Sequence, residues 1–188
     1  MSSDRRTRYT KMFLKEAILD LLQKKPLHKV TVTELCKISE INRTTFYRYY
    51  TDPFDLFDQI KEDFVSELKH YGTYKVDDPC SQEGISAVTN LCKFYQKNKR
   101  VYLTLMEIVG EGSFLNELIQ ASKANVKQNW DHQQIATQIP ETEYVIYYIW
   151  GACNSVFYHW LKYEEEKYTA DEIGDFIIKM NYNGLKEL

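Results

Sequence analysis

The sequence predicts an all-α protein, because apolar residues recur about every three or four positions along most of the chain. No stretch alternates between apolar and polar residues as a half-buried strand would, and no repeat or low-complexity segment is present. The 188 residues are 44% hydrophobic, which is enough to bury a substantial core. We therefore expect helices throughout, with ends marked by proline, glycine and N-cap residues.

The first helix is predicted from an apolar face that stops before Pro26. The residues of that face recur at helical spacing: Phe13, Leu14, Ala17, Ile18, Leu21 and Leu22. Leu27, Val30 and Val32 follow the proline and are expected to add to the same small core.

Residues 31–50 are predicted to form two short helices joined by a tight turn. Thr31 and Glu34 have the spacing of a capping box, in which the hydroxyl and the carboxylate each accept a backbone amide. Asn42 is a favoured N-cap residue for the second helix. A separation of only about four residues is typical of a helix-turn-helix, whose second helix enters the major groove of DNA.

The outward face of the second helix follows from a rotation of about 100° per residue. Phe46 and Tyr50 lie about 40° apart and define the buried side, whereas Thr44 and Arg48 fall near the opposite side. Arg48 and Thr44 are therefore predicted near bases, and hydroxyl-bearing neighbours near phosphates. The full predicted DNA-binding set is Thr33, Arg43, Thr44, Thr45, Tyr47, Arg48 and Tyr49. The alternative is an ordinary solvated helix face.

Charge is distributed unevenly along the chain. Residues 1–50 contain 11 lysines and arginines against 5 acidic residues, whereas the remainder contains 13 against 22. A basic segment beside an acidic remainder is typical of a nucleic-acid-binding end. Arg5, Arg6 and Arg8 stand before the predicted first helix, where they form either a basic arm that meets phosphates or a solvated tail.

Asp52 and Pro53 predict the start of a fourth helix, since an N-cap residue followed by a first-turn proline is a common beginning. Its inward residues are expected to be Phe54, Leu56, Phe57, Ile60, Phe64 and Leu68. Gly72 and Pro79 interrupt the helical pattern, and further helices are predicted over 82–98, 99–109, 113–135, 141–165 and 170–186.

The predicted architecture is a three-helix helix-turn-helix head, joined by the fourth helix as a linking helix to a helical-bundle dimerisation and effector domain. We place the DNA-binding domain at residues 1–52. Residues 53–188 are assigned to the helical C-terminal domain, which is expected to dimerise and to hold an effector if one exists.

Side chains that bind metals or act as nucleophiles are scattered: His28, His70, His132, His159, Cys36, Cys80, Cys92 and Cys153. No phosphate-binding loop or catalytic motif is present, so we predict no enzyme activity, no metal and no cofactor. The cysteines are expected to be reduced and mostly buried. No apolar run approaches the roughly 20 residues needed to cross a bilayer, and no signal peptide is recognisable, so a cytoplasmic protein is expected.

About the first 65 residues resemble the DNA-binding head of TetR/AcrR-type bacterial transcription regulators. The resemblance rests on Leu27 and on residues 30–35, 41–50 and 55–57. In that family, Tyr47 and the residues beside it face DNA. The resemblance implies an all-helical homodimer that binds a palindromic operator, with repression as the expected sign of regulation.

The C-terminal part is similar to a subgroup of these regulators that resembles the dihydroxyacetone-kinase regulators. This likeness rests on Gly110 with Phe114, Gly151 followed by Trp160-Leu161, and the closing helix from Thr169. It implies a four-helix interface formed by the last two long helices of each subunit.

Two positions depart from the family pattern. Glu40 stands where the turn usually has glycine, and a Cβ in a left-handed conformation there would cost on the order of 1 kcal/mol. Pro53 stands where a phosphate-binding lysine is common, so that contact is lost. These departures favour an alternative function, a helical adaptor or coactivator that meets a protein partner.

The dimer interface is predicted from small and apolar residues on the last two helices: Tyr148, Gly151, Ser155, Tyr158, Phe176, Ile177 and Met180. Ordinary intramolecular core is the alternative, since cores and obligate interfaces share composition. A ligand cavity is predicted from aromatic, Met and His side chains: Tyr95, Tyr102, Met106, Trp130, Tyr147, Trp150 and His159. Simple packing is the alternative for these, and the effector, small molecule or protein, is not identified.

Overall fold

A computed structural model describes residues 2–71, 81–110, 112–121 and 142–185. All regular secondary structure within these ranges is helical, which confirms the predicted fold class. The predicted helix over 113–135 is therefore described only as far as residue 121.

Three helices and a short 3₁₀ turn precede the linking helix. Their bounds are α1 Ser2–Leu22, the 3₁₀ turn Leu27–Lys29, α2 Val32–Ser39, α3 Arg43–Tyr49 and the linking helix α4 Pro53–Tyr71. We call α1, α2 and α3 the head. Arg5, Arg6 and Arg8 lie inside α1, so the prediction that they precede the first helix is wrong. No proline or glycine stands before Pro26, so nothing in the sequence stops the helix from extending back through them.

The core of the head is built from the predicted apolar faces. Its buried residues include Leu14, Ala17, Ile18, Leu21, Val30, Leu35, Phe46, Tyr50, Leu56 and Phe57. Two predicted core residues are instead half-exposed, Phe13 and Phe54. Phe13 is turned about 100° from Leu14 and Phe54 about 200° from Leu56, so neither shares the buried side of its helix.

The remaining described helices form a second group, which we call the body. Their bounds are α5 Gln82–Lys97, α6 Lys99–Val109, α7 over residues 112–121, α8 Thr142–His159 and α9 Ala170–Leu185. A π-helical turn, Trp160–Glu164, continues α8. These bounds agree with the predicted ranges to within a few residues. Gly110 ends α6 with φ of 89°, a conformation that favours glycine.

The core of the body is dominated by aromatic rings. Phe64 of α4 packs against Phe94 of α5, Tyr102 of α6 and Phe114 of α7, with ring centroids 5.1, 6.2 and 6.0 Å away. Tyr95 stacks on Phe157 of α8 at 4.5 Å. Helix α4 packs against α1 as well as α5 and α6, and its Leu56, Phe57 and Phe64 belong to one continuous buried cluster that joins the head to the body.

Helix α9 lies close against α5. A Cβ added at Gly174 would stand 2.9 Å from Oγ1 of Thr89 and 3.3 Å from its Cα. Contacts this short leave no room for a side chain, so glycine allows the two helices to approach. The neighbouring Ile173 and Ile177 are buried, and this side of α9 is thereby fixed within its own subunit.

The described cysteines are free thiols, of which Cys92 is buried while Cys36 and Cys153 are half-buried. Burial raises the pKa of Cys92 to about 12 and also raises the pKa of Cys153, whose sulfur accepts a hydrogen bond from Asn181 Nδ2 at 3.5 Å. Such thiols stay protonated and poorly reactive near neutral pH. Cys80 lies outside the described residues. In the described part of the chain, no helix is both long enough and apolar enough to span a bilayer.

Candidate nucleic-acid interface

The start of α2 is held by the predicted capping box. Oγ1 of Thr31 accepts the Glu34 amide at 3.3 Å, and Oε2 of Glu34 accepts the Thr31 amide at 3.1 Å. The ammonium of Lys25 lies 2.5 Å from the other carboxylate oxygen. This hydrogen bond from Lys25 is the main reason that the pKa of Glu34 falls to about 2. The carboxylate therefore stays ionised at physiological pH and ties α2 to the segment after α1.

The turn between α2 and α3 passes through the left-handed region at Glu40, where φ is 56° and ψ is 27°. This is the conformation that favours glycine, and a side chain here costs roughly 1 kcal/mol. Helix α3 begins at Arg43 and is capped by Asn42, whose Oδ1 accepts the Thr44 amide at 2.8 Å. The geometry of the motif is therefore the expected one despite the unfavourable residue.

Helix α3 is oriented as the helical rotation predicts. Phe46 is 0% exposed and Tyr50 5%, so both belong to the core. The exposed residues of the predicted set are Thr33, Arg43, Thr44, Tyr47 and Arg48. Thr45 and Tyr49 lie on the flanks and are half-buried. One face of α3 thus presents arginine, threonine and tyrosine to solvent.

Tyr49 joins the end of α3 to α1. Its hydroxyl lies 3.1 Å from Oγ1 of Thr7, within the second turn of α1. Arg5, Arg6 and Arg8 surround this contact point on α1 and are exposed. The cluster of arginines is therefore a helical surface beside α3 rather than a separate arm.

The start of α4 is occupied by acidic side chains. Oδ1 of Asp52 accepts the Asp55 amide at 2.9 Å, and Oδ2 of Asp55 accepts the Thr51 amide at 2.7 Å. Pro53 is buried. The Asp55 amide in the first turn is thus taken by a carboxylate, and the negative charges of Asp52 and Asp55 oppose an anion at this helix end.

An ion-pair cluster connects the head to the body. Arg100, at the start of α6, places Nη1 2.7 Å from Glu16 of α1, and its Nη2 pairs with Asp20 one turn later. The sequence gives no sign of this contact, because it joins residues about 80 positions apart. It fixes the orientation of α1 relative to α6.

Of the predicted ligand-cavity residues, Tyr95 and Tyr102 lie together in the aromatic core, with ring centroids 4.9 Å apart, and a cavity formed by the whole set stays a prediction. Tyr95, Tyr102 and Met106 are buried in the aromatic core, whereas Trp150 is only half-buried. Two members are exposed, Tyr147 and His159, and Trp130 lies outside the described residues. Tyr147 bonds instead to Asn116 Oδ1 at 3.3 Å on the surface of α7. The helical spacing of these residues predicts that many of them are buried, but it does not predict which helix faces meet in the folded protein.

Two buried tyrosines of the core differ in hydrogen bonding. Tyr102 donates to Oδ1 of Asn154 at 2.8 Å. The hydroxyl of Tyr95 is buried without a partner among the described residues, and burial raises its pKa well above the usual value. An unsatisfied buried hydroxyl costs about 1–3 kcal/mol.

A surface groove of about 610 Å³ separates α8 from α9. It is lined by Ser155, Val156, His159, Trp160, Glu164, Tyr168, Glu172, Ile173 and Phe176. Trp160 donates from Nε1 to the Tyr168 carbonyl at 2.8 Å and so holds the loop at one end of the groove. Sequence reasoning missed the groove because Tyr168 and Glu172 come from a loop and a helix start, where periodicity gives no signal.

The predicted dimer residues lie mainly along this groove and the exposed side of α8. Tyr148, Ser155, Phe176 and Met180 are exposed. Gly151 and Tyr158 are half-buried. Ile177 is 4% exposed and packs within its own subunit, so its predicted place in the interface is wrong.

Comparisons with known proteins agree with this arrangement. Residues 84–183 match a family model described as the C-terminal region of TetR-type transcriptional regulators. A solved structure described as a TetR-family transcriptional regulator from Syntrophomonas wolfei is similar, with 15% identity, 96% of both chains covered and a TM-score of 0.68. No curated protein matches the sequence.

Two further structures share the fold. A TetR transcriptional regulator from Streptococcus agalactiae is 20% identical over 96% of this chain and 98% of its own, with a TM-score of 0.61. A dihydroxyacetone kinase operon activator is 17% identical over 95% of this chain and 97% of its own, also with a TM-score of 0.61. Since the family match spans more than half of the chain, the protein belongs to the TetR family of transcriptional regulators.

Proposed function

We propose that the protein binds a palindromic DNA operator as a homodimer and represses transcription from it. The observation that carries the proposal is the exposed face of α3, where Arg48 and Thr44 point away from the buried Phe46. An arginine on such a face donates two hydrogen bonds to guanine, which is the commonest specific base contact. The protein acts without enzymatic chemistry and works in the cytoplasm, where it reaches DNA.

Each predicted contact residue has a role in this proposal. Arg48 and Thr44 read bases, and Arg43 stands at the start of the same helix. Thr33, Thr45, Tyr47 and Tyr49 bind phosphates. The hydroxyl of Tyr49 also contacts Thr7, so in this proposal the same side chain holds α1 against α3 and reaches a phosphate. With α4 capped by carboxylates, these hydroxyls supply more of the grip on the backbone.

We assign DNA binding to residues 1–52 and dimerisation, with any effector site, to residues 53–188. Two recognition helices must stand roughly 34 Å apart to read half-sites one helical turn apart, and a twofold dimer provides this spacing. The exposed aromatic and Met side chains of α8 and α9 support a subunit interface, because the monomer leaves Tyr148, Phe176 and Met180 uncovered.

Selection of bound sequences from a random DNA pool tests the proposal directly. A palindromic consensus is expected, and Arg48→Ala should then weaken binding by about 1–3 kcal/mol and relax preference at one position of each half-site. Lys93→Ala, which removes an exposed positive charge of the body, is the matched control and should bind as wild type does. Undiminished affinity of Arg48→Ala for the consensus would refute the base contact, and a 22.4 kDa particle in sedimentation would refute the dimer.

The second candidate is a helical adaptor or coactivator that binds a protein partner and not DNA. The acidic start of α4, with Asp52 and Asp55 where a phosphate contact is usual, favours it. Failure to select any DNA sequence would support the adaptor. One similar structure is named an operon activator, so the sign of regulation is tested separately, by a reporter gene placed behind the selected operator.

A further inference from the structure

We propose that Arg100 is a positioning residue, which holds each head against its body so that the protein accepts only one spacing between the two half-sites of its operator. The inference rests on the proposed function, a homodimer on a palindromic operator, and specifies what fixes the placement of the two recognition helices. The ion pairs of Arg100 with Glu16 and Asp20 carry it.

The first step concerns the attachments between the head and the body. Helix α4 is the covalent connection, and it packs against α1 as well as against α5 and α6. A head that is attached through one helix alone can still turn about the axis of that helix. The contact of α1 with α6 is a second attachment, and two attachments at different places on the head oppose such a turn.

The second attachment includes both nitrogens at the end of the Arg100 side chain. Glu16 and Asp20 are four residues apart, so they lie on neighbouring turns of the same side of α1. Nη1 of Arg100 lies 2.7 Å from Oε2 of Glu16, and Nη2 pairs with Oδ1 of Asp20. One planar guanidinium therefore spans two turns of α1, which the single point charge of a lysine would not do.

The burial of Leu19 shows that this side of α1 is covered near Arg100. Leu19 is 1% exposed, although helical rotation places it about 140° from Leu14, which belongs to the core of the head. Met12, two turns earlier on the side of Leu19, is 44% exposed. The cover over this side is therefore confined to the C-terminal half of α1, where Arg100 binds.

The position of α1 sets the position of the recognition helix. Leu14 and Ile18 of α1 belong to the same buried cluster as Phe46 of α3. At the other end of α1, Oγ1 of Thr7 lies 3.1 Å from the hydroxyl of Tyr49. Because α1 and α3 are packed together, a fixed angle between α1 and α6 also fixes α3 relative to the body. In a twofold dimer it then fixes one α3 relative to the other.

The exposure of the ion pairs indicates a role in orientation more than in stability. The three side chains are between one third and about one half exposed, and water screens such pairs, so they add little to the free energy of unfolding. They nevertheless favour one orientation of the head, because a head that turned away from α6 would lose both pairs.

The spacing between half-sites is the property of DNA that depends on head orientation. One added base pair moves the half-sites apart and turns one relative to the other by roughly 35°. Heads that are held by Arg100 cannot follow this change, whereas heads that turn about α4 can. Loss of Arg100 should therefore broaden the range of spacings that the dimer accepts.

The test compares the affinity of the full-length protein for its selected operator with its affinity for operators one base pair longer or shorter. Wild type should prefer the selected spacing by about tenfold or more. Arg100→Ala should reduce this ratio by about threefold or more, since two pairs are lost in each of two subunits. Lys99→Ala is the matched control and should keep the wild-type ratio, because Lys99 pairs with Glu165 within the body.

Two further measurements separate positioning from a general loss of structure. Arg100→Ala should bind a single half-site as tightly as wild type does, since the exposed face of α3 is intact. Charge reversal, in which Arg100→Glu is combined with Glu16→Lys and Asp20→Lys, restores the pairs with opposite polarity and should restore the wild-type ratio.

The outcomes distinguish this inference from the proposed function. An unchanged ratio for Arg100→Ala, or no recovery on charge reversal, would overturn the role of Arg100, while a palindromic consensus leaves the proposed function standing. A loss of half-site affinity that accounts for the whole effect would also overturn it. A wild type that selects no palindrome would remove both.

Discussion

In the head, several polar side chains cap the starts of helices, whereas in the body Tyr102 and Asn154 form a hydrogen bond that is buried in the aromatic core. Thr31, Glu34 and Asn42 fix helix starts by bonds that span two or three residues. In the body, Tyr102 reaches Asn154 across 52 residues. The helix starts of the head are thus set largely by local bonds, while this part of the body core depends on residues far apart in the sequence.

The largest expected effect is a loss of stability that differs in place between the head and the body. Phe64→Ala and Phe46→Ala each remove a buried phenyl ring and are expected to cost about 3–5 kcal/mol of local stability. Hydrogen exchange should accelerate mainly within residues 2–52 for Phe46→Ala, and in α4, α5 and α6 for Phe64→Ala. Equal acceleration everywhere by both variants would mean that the head and the body are one cooperative unit.

The next largest loss of unfolding free energy is expected where α5 and α9 approach each other closely. Gly174→Ala places a Cβ against Thr89 and is expected to cost about 1–3 kcal/mol in urea unfolding, although alanine is otherwise the better helix former. Thr89→Ala removes the nearest atom. The double variant should therefore lose less than the two single losses added together, and strict additivity would argue against the contact.

Replacing the buried tyrosines Tyr102 and Tyr95 with phenylalanine should change the stability of the protein in opposite directions. Tyr102→Phe leaves Asn154 short of a partner and is expected to cost about 1–2 kcal/mol, within the range for an unsatisfied buried group. Tyr95→Phe removes an unpaired hydroxyl and should leave the unfolding midpoint unchanged or raise it. The same substitution in the same core makes each variant the control for the other. A clear loss for Tyr95→Phe would show that its hydroxyl has a partner.

The smallest expected effect lies in the turn of the head. Glu40→Gly relieves the left-handed strain and should stabilise the protein by about 0.5–1 kcal/mol in thermal or urea unfolding. Glu40→Ala keeps the Cβ and serves as the control, with no comparable gain expected. If both variants behave alike, the backbone conformation is not what limits stability at this position.

Most of the fold was predictable from the sequence, because helix starts and faces are local properties. Asn42, Pro53 and the spacing of Phe46 and Tyr50 led to the observed helices and to the orientation of α3. Local rules failed where the outcome depended on a neighbour. Phe13 and Phe54 are predicted to be buried yet are half-exposed, because each lies roughly 90° from the middle of its helix's buried face, where burial depends on a neighbouring element.

The body sites were much less predictable than the head. An apolar face shows that a residue packs, but not against what, so Ile177 looks like an interface residue in the sequence and is core in the structure. Gly174 and Thr89 are 85 positions apart, and no spacing rule connects them. The contact of Arg100 with Glu16 is equally nonlocal. Convergence of distant faces is a three-dimensional property that periodicity alone does not contain.

The linking helix α4 connects the head to the body, because it packs against α1 as well as against α5 and α6. Its 19 residues span roughly 28 Å at 1.5 Å per residue. Phe64 lies 11 residues, or roughly 16 Å, from Pro53, so a tilt of about 5° about Phe64 displaces the head end of the helix by roughly 1.4 Å. In the proposed DNA complex, small repacking of the aromatic rings around Phe64 would therefore shift α3 by a sizeable fraction of the 3.4 Å rise between base pairs.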